Sequence, residues 1–218
     1  MLNTKLILIE GLPGAGKSAT TRYLGALLRQ HGLVCHWYIE EDEPHPINCL
    51  SFPLRELAQR LPPLWRIFTQ QALRTPDMTI IESRLWQNTA LFMYMSEYPI
   101  HDILQLQNQV AHEITDLSPV LVYLYQDNVE TALRRLYTFR DASSINADIQ
   151  MTSEYPWFRS RDLTDFSGWV QFFQGWQGVA EQLFEHWLHP KLRVVNAHSA
   201  WGNAHRQIYD FLQIESNA

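Results

Sequence analysis

Two cysteines in 218 residues, Cys35 and Cys49, leave little room for disulfide or thiolate chemistry. They form no CxxC pair, and no His/Cys cluster stands at zinc-ligand spacing, so a disulfide-stapled scaffold and a zinc module are both excluded. Positive charge is also scarce: 17 Lys and Arg against 23 Asp and Glu give a net charge of -6. A broad nucleic-acid footprint needs a basic face, so no nucleic-acid partner is expected, although a phosphate site can still be locally positive. Long apolar runs are missing too. The opening MLNTKLILIEG is too short for a signal peptide or a membrane span, which makes a cytoplasmic protein without a membrane partner the expectation. Neither internal repeats nor low-complexity tracts occur. What remains is a globular composition, 46% hydrophobic, of a length that fits a single domain over 1–218.

Five short runs rich in β-branched or aromatic residues have strand length: Lys5–Glu10, Val34–Glu40, Met78–Glu82, Val120–Tyr125 and Leu192–Asn196. Helical patterns separate them. Lys17–Gln30 carries an apolar stripe and is followed by Gly32, where a helix would stop. Pro53–Leu61 and Leu64–Leu73 read as two helices broken at Pro62-Pro63, and Trp86–Tyr98 and His101–Thr115 as a pair broken at Pro99. Val129–Thr138 and Trp201–Leu212 are further helices. In Gly168–Leu188, Trp169, Phe172, Phe173, Trp176, Val179, Ala180, Leu183, Phe184 and Trp187 recur at helical spacing, which favours core over a substrate pocket. Strands alternating with helices predict an α/β fold whose parallel sheet is covered on both faces. Ligands then bind at the carboxyl ends of the strands.

The first strand runs straight into the motif Gly11-Leu12-Pro13-Gly14-Ala15-Gly16-Lys17-Ser18, and a helix follows it through Ala19. This matches G-x-x-x-x-G-K-[ST] at every fixed position, in the strand–loop–helix context that the motif requires. Gly11, Gly14 and Gly16 permit the backbone angles that turn amides towards an anion. The helix start adds its dipole and free N–H groups. Lys17 can reach outer phosphates, and the Ser18 hydroxyl can ligate Mg²⁺.

Acids stand at the next two strand ends. The second strand leads into Glu40-Glu41-Asp42-Glu43-Pro44, and the third ends Ile80-Ile81-Glu82-Ser83-Arg84. One acid can hold Mg²⁺, as Glu82 with Ser18, while another accepts a proton from an attacking hydroxyl. For Glu41, Asp42 and Glu43 taken singly, a solvated acidic loop is the simpler reading; Glu40 and Glu82 are delivered to the catalytic edge by apolar strands. Beyond the fourth strand, Arg134, Arg135 and Arg140 lead into a long polar stretch, Asp141–Ser153. A mobile segment carrying Arg140 could close over a nucleotide and place positive charge against transferring oxygens. Arg135 is an even choice between that role and a solvated helix end, whereas Arg134, Arg159 and Arg161 are weaker candidates.

With GLPGAGKS, EEDEP, IIESR and VLVYLYQDNVETALRRLYTFR in view, the chain resembles the nucleoside and nucleotide kinases among phosphate-loop proteins, the thymidylate kinase and deoxynucleoside kinase group. The resemblance implies a three-layer α/β/α fold with strand order 2-3-1-4-5, with substrate-side helices over about 50–116 and a lid over about 138–162. It implies ATP with Mg²⁺, a lid arginine at Arg140, a base at Glu40 or Glu41, and an acid–arginine pair at Glu82 and Arg84. The stretch containing Ala197 and His198 resembles the loop that borders the adenine. Glu-Ser-Arg departs from the Asp-Arg and Glu-Arg-Ser patterns of the group, and the lid lacks clustered arginines. The expected function is therefore Mg-ATP phosphoryl transfer to a hydroxyl or phosphate of a small acceptor, most simply nucleoside- or nucleotide-like, in a chain that could pair as a homodimer. An ATPase without acceptor and a binding module without turnover are the alternatives. No Asn-Lys-x-Asp base-reading motif is present, and the third strand ends in one acid rather than an Asp-Glu pair, which speaks against both GTPase and mechanical ATPase forms. Trp65, Trp86, Gln87 and Tyr94 could contact a base or simply pack.

Overall fold

The computed structural model describes residues 3–214; residues 1–2 and 215–218, the ends of the expected domain, lie outside the described residues. Five parallel strands form one sheet in the order β2-β3-β1-β4-β5. They are β1 (Leu6–Gly11), β2 (Cys35–Tyr38), β3 (Met78–Glu82), β4 (Val120–Tyr125) and β5 (Lys191–Val195). The order agrees with the expected one, and the layers are those of a three-layer α/β/α phosphate-loop fold.

Alternation along the central strand shows why both faces must be covered. Leu6 and Leu8 of β1 are buried on one face with Trp65, Trp86, Phe172 and Phe184; Ile7 and Ile9 are buried on the other with Leu24, Leu28 and Ile208. The first face is covered chiefly by α2 (Leu57–Ala72), α4 (Ile100–Glu113) and α8 (Phe166–His186), the second by α1 (Lys17–Gln30) and α9 (Trp201–Leu212). All nine apolar positions of the Trp169–Trp187 stripe are buried, so the stripe is core. No helix among the described residues is long and apolar enough to cross a membrane.

Four expectations need correction. The first is a single helix, α2, where a break at Pro62-Pro63 was predicted. The two prolines leave the carbonyls of Ala58 and Gln59 without their helical donors, but Leu57, Leu61, Trp65 and Phe68 bury a continuous face that holds the helix together. Second, the polar stretch Asp141–Ser153 is helical over Ala142–Ser153 (α6): the Asp141 carboxylate accepts the Ser144 amide at 2.8 Å as its cap, and Ile145 and Ile149 are buried. Third, β2 ends at Tyr38, two residues before Glu40, because the Asp42 carboxylate takes the Ile39 amide at 2.8 Å and turns the chain. A π-helical turn spans Trp86–Ala90, and further α-helices are α3 (Leu91–Met95), α5 (Val129–Arg135) and α7 (Pro156–Arg159). Fourth, Trp86–Ala90 and α3 together replace the uniform helix expected over Trp86–Tyr98.

Candidate active site

The glycine-rich loop lies at the carboxyl end of the central strand, between the ends of β3 and β4. Gly14 and Gly16 have φ of +76° and +98°. A side chain at Gly14 would strike the carbonyl oxygen of Ala132 in α5, so a glycine is needed for both conformation and space. Within the loop the Ala15 amide donates to Leu12, while among the described residues the amides of Gly14, Gly16, Lys17 and Ser18 find no protein acceptor. These free donors at the start of a 14-residue helix, with the buried Lys17 ammonium beside them, form a donor set that could hold a polyphosphate. Leu12, Pro13 and Ala15 shape the loop; Leu12 and Ala15 are buried, and Ala19 faces solvent in the first turn of α1. Lys17 Nζ donates to the Leu12 carbonyl at 3.2 Å.

Beside the cradle stands the first acid. Ser18 Oγ donates to Glu82 Oε1 at 2.8 Å, while Glu82 Oε2 is buried without a partner. Burial pushes the Glu82 carboxyl up to about 7. Lys17 and the Ser18 hydroxyl oppose that rise, and Glu40 and Glu41 add to it. Because the Ser18 hydroxyl spends its proton on Glu82, its lone pairs stay available. One hydroxyl and one open carboxylate oxygen next to a phosphate cradle suit Mg²⁺, which takes few protein ligands and completes its shell with phosphate oxygens and water. Ser18 and Glu82 therefore fit the expected metal position.

Ser83, at φ +62°, turns the chain after β3 and sends Arg84 towards the end of β2. Arg84 is only 1% exposed; one of its terminal nitrogens donates to the Glu40 carbonyl at 2.8 Å, while Nε and Nη1 are unpartnered. Burial, then the Arg84 charge, holds His45 down at about 4. The Glu40 carboxylate accepts from Gln87 Nε2 at 2.8 Å. Glu41 is exposed and, among the described residues, forms no hydrogen bond, which fits a solvated loop residue.

On the opposite side of the loop, Arg135 donates to Gln126 Oε1 at 2.6 Å, and its Nε and Nη1 are buried and unpartnered. Burial, then the Arg135 charge, holds His198 below the ordinary histidine value, so His198 and Arg135 are neighbours. Ala197 is buried in the same cluster as Ala15. The structure does not bring Arg140 to this group: its guanidinium is paired with Asp148 at 2.8 Å and bonded to Ser144, both on α6. Trp65 lies wholly in the core against Phe68, and Tyr94 packs among Trp157, Phe172 and Trp176, so both are packing residues.

Glu10, the last residue of the first predicted strand run and not a predicted site residue, is fully buried at the last step before Gly11. Its Oε1 accepts the amides of Leu85 and Trp86 at 2.9 and 3.0 Å, and its Oε2 accepts that of Gln87 at 3.4 Å. Burial raises this carboxyl to about 7 against the pull of those amides and of Lys17. The signal was an acid inside an otherwise apolar, doubly covered strand. Glu10, Gly11, Leu12, Trp86, Gln87 and Tyr123 line a crevice too narrow to admit a water molecule. The more open cleft, about 420 Å³, lies beyond β4 and includes none of the predicted residues; its acids are engaged, Asp127 with Asn196, Glu130 with Arg134 and Glu181 with Arg193.

No protein-family model matches the chain, and no curated protein sequence does. Among solved structures, deoxyadenosine kinase from M. mycoides with bound dATP aligns over 95% of this chain and 99% of its own, at 15% identity and a TM-score of 0.49. The likeness is one of fold. The same enzyme with the products dCMP and dCDP aligns over 96% of this chain and 100% of its own, at 13% identity and a TM-score of 0.47. Substrate and reaction have to be reasoned from the site itself.

Proposed function

We propose that this chain is a Mg-ATP-dependent kinase that phosphorylates a hydroxyl of a small acceptor carrying no phosphate of its own, a nucleoside being the simplest fit to the resemblance. The observation that carries the reading is the placement of two carboxylates beside one phosphate cradle. Glu82 is bonded to Ser18 on the donor side, and Glu40 is held by Gln87, with its carbonyl on Arg84, at the neighbouring strand end.

On this reading the cradle amides and Lys17 bind the polyphosphate and neutralise charge as it develops. Ser18 and Glu82 would hold Mg²⁺, which when bound would supply positive charge against the phosphate oxygens. The acceptor hydroxyl forms a bond to the γ-phosphorus, its proton passes to Glu40, and the bond from that phosphorus to ADP breaks. Arg135 and His198 border the nucleotide. The Glu40–Glu43 rim is acidic, and the guanidinium placed among these groups, Arg84, is sealed from solvent. A phosphate monoester would meet repulsion there, which favours a neutral acceptor.

The deciding assay supplies Mg-ATP and a panel of nucleosides, nucleotides and other hydroxyl compounds, and follows ADP release with identification of the phosphorylated product. Acceptor-dependent ADP from a compound without phosphate is expected. ADP formed at one rate with and without every compound would overturn the kinase reading, and a nucleoside monophosphate as best acceptor would overturn the charge argument.

A further inference from the structure

Glu10 and Gln87 form a chain of contacts that crosses from the phosphate loop to the acceptor side. The backbone of Glu10 is continuous with Gly11, so its position follows the loop. Its carboxylate gathers the amides of Leu85, Trp86 and Gln87, the opening of the helical segment after β3. An acid accepting the free N–H groups of a helical start fixes that segment in place. The side chain of Gln87, within the segment so fixed, donates to the Glu40 carboxylate. Glu40 itself sits in a turn beyond β2 and is half-buried, so its own segment does little to orient it.

We propose that Glu10 and Gln87 are positioning residues that set the orientation of the Glu40 carboxylate relative to the phosphate loop, a proposal that rests on Glu40 being the base. Catalysis depends on such placement because a small displacement of a reacting group costs far more rate than binding. The arrangement gives the two halves of the site a common reference: the strand that ends in Gly11 also anchors the helix that holds Glu40. Fully buried carboxylates are costly, so Glu10 is a poor choice for stability alone. A glutamine there would keep the Leu85 and Trp86 contacts, which share one oxygen, but would present an N–H to the Gln87 amide.

Three variants test this. Gln87→Met keeps length and removes the donor; Glu10→Gln keeps shape and breaks the contact with the Gln87 amide. Each is expected to lower kcat on the order of 10- to 100-fold, with KM for Mg-ATP changed less than about twofold. In a Glu40→Gln background neither change should lower kcat further, a non-additivity that loss of folding would not produce. Additive losses, or a KM effect equal to the kcat effect, would overturn the proposal. NMR of the Gln87 side-chain amide, assigned through Gln87→Met, gives a readout that needs no turnover. Glu10→Gln and Glu40→Gln should each shift that resonance, and an unmoved resonance overturns the relay even if the kinase reading stands. If the resonance moves but no acceptor supports turnover, the contact chain is real, and what fails is Glu40 as base and with it the proposed positioning role.

Discussion

Replacing Glu10 with glutamine should flatten the dependence of stability on pH, by an amount that follows from its burial. The carboxyl titrates at about 7 in the fold against an ordinary 4.5, burial being the dominant cause. A raised carboxyl pKa means that the fold prefers the protonated acid. The contribution of Glu10 is then fully favourable below pH 4.5 and is lost as the pH climbs through 7, because the fold must then hold a buried anion. A displacement from 4.5 to about 7 corresponds to on the order of 3 kcal/mol across pH 4–8. Glutamine has no charge to bury and keeps the two contacts shared on Oε1, so its curve should lack this fall. Urea denaturation of both proteins at intervals from pH 4 to pH 8 measures the difference, in which titrating groups that do not interact with Glu10 cancel. Glu10→Gln should gain relative stability as the pH rises, even though its turnover is expected to drop. Two parallel curves would refute the reasoning, since they would mean that Glu10 is solvated or permanently paired rather than sealed.

Three further outcomes follow from the same geometry. Lys17→Ala removes the buried ammonium at the cradle and should weaken Mg-ATP binding on the order of 10- to 100-fold while leaving the melting temperature of the free protein near its original value; an undiminished thermal shift with Mg-ATP would displace the site. Gly14→Ala should cost about 2 kcal/mol or more in thermal denaturation, because the new methyl meets the Ala132 carbonyl at a positive φ; a neutral result would mean that the loop is free to move away from α5. Pro63→Ala, at an exposed position inside α2, should raise stability by about 1–3 kcal/mol by returning a donor to the Gln59 carbonyl, and a loss in urea titration would show that the proline itself is needed.

Why some of this was legible from residues alone and some was not comes down to where the deciding interaction lies. The bounds of α1, β3, β4 and α9 came out as read, because an unbroken apolar period identifies each of them locally. The loop motif likewise carries its own evidence in strand, glycines and helix. α2 was misread because two adjacent prolines are a strong local breaker, and what overrides them is burial of Leu57, Leu61, Trp65 and Phe68 against other elements. α6 hid behind a polar composition, although Asp141 three residues before Ser144 was a cap signal available in the sequence. Arg140 was placed in a lid by its neighbours in the chain, and its salt bridge to Asp148 is a relation that no motif spells out. Glu10 immediately precedes the loop motif, but its importance appears only once the Leu85–Gln87 amides are seen to converge on it.

The order Glu82-Ser83-Arg84 gains a physical meaning from the backbone. A carboxylate and a guanidinium adjacent in a continuing strand would point to opposite faces of the sheet. Here a residue stands between them, and that residue, Ser83, adopts a left-handed conformation at the end of β3. The turn separates the two charges by task rather than by face: Glu82 is left against Ser18, on the donor side, and Arg84 is carried to the Glu40 carbonyl at the end of β2. The departure from the patterns of the resembling group therefore goes with an acid and an arginine that bond to different partners. It divides the pair, so that on the proposed reading Glu82 belongs with the metal and Glu40, braced by Arg84 and Gln87, belongs with the proton.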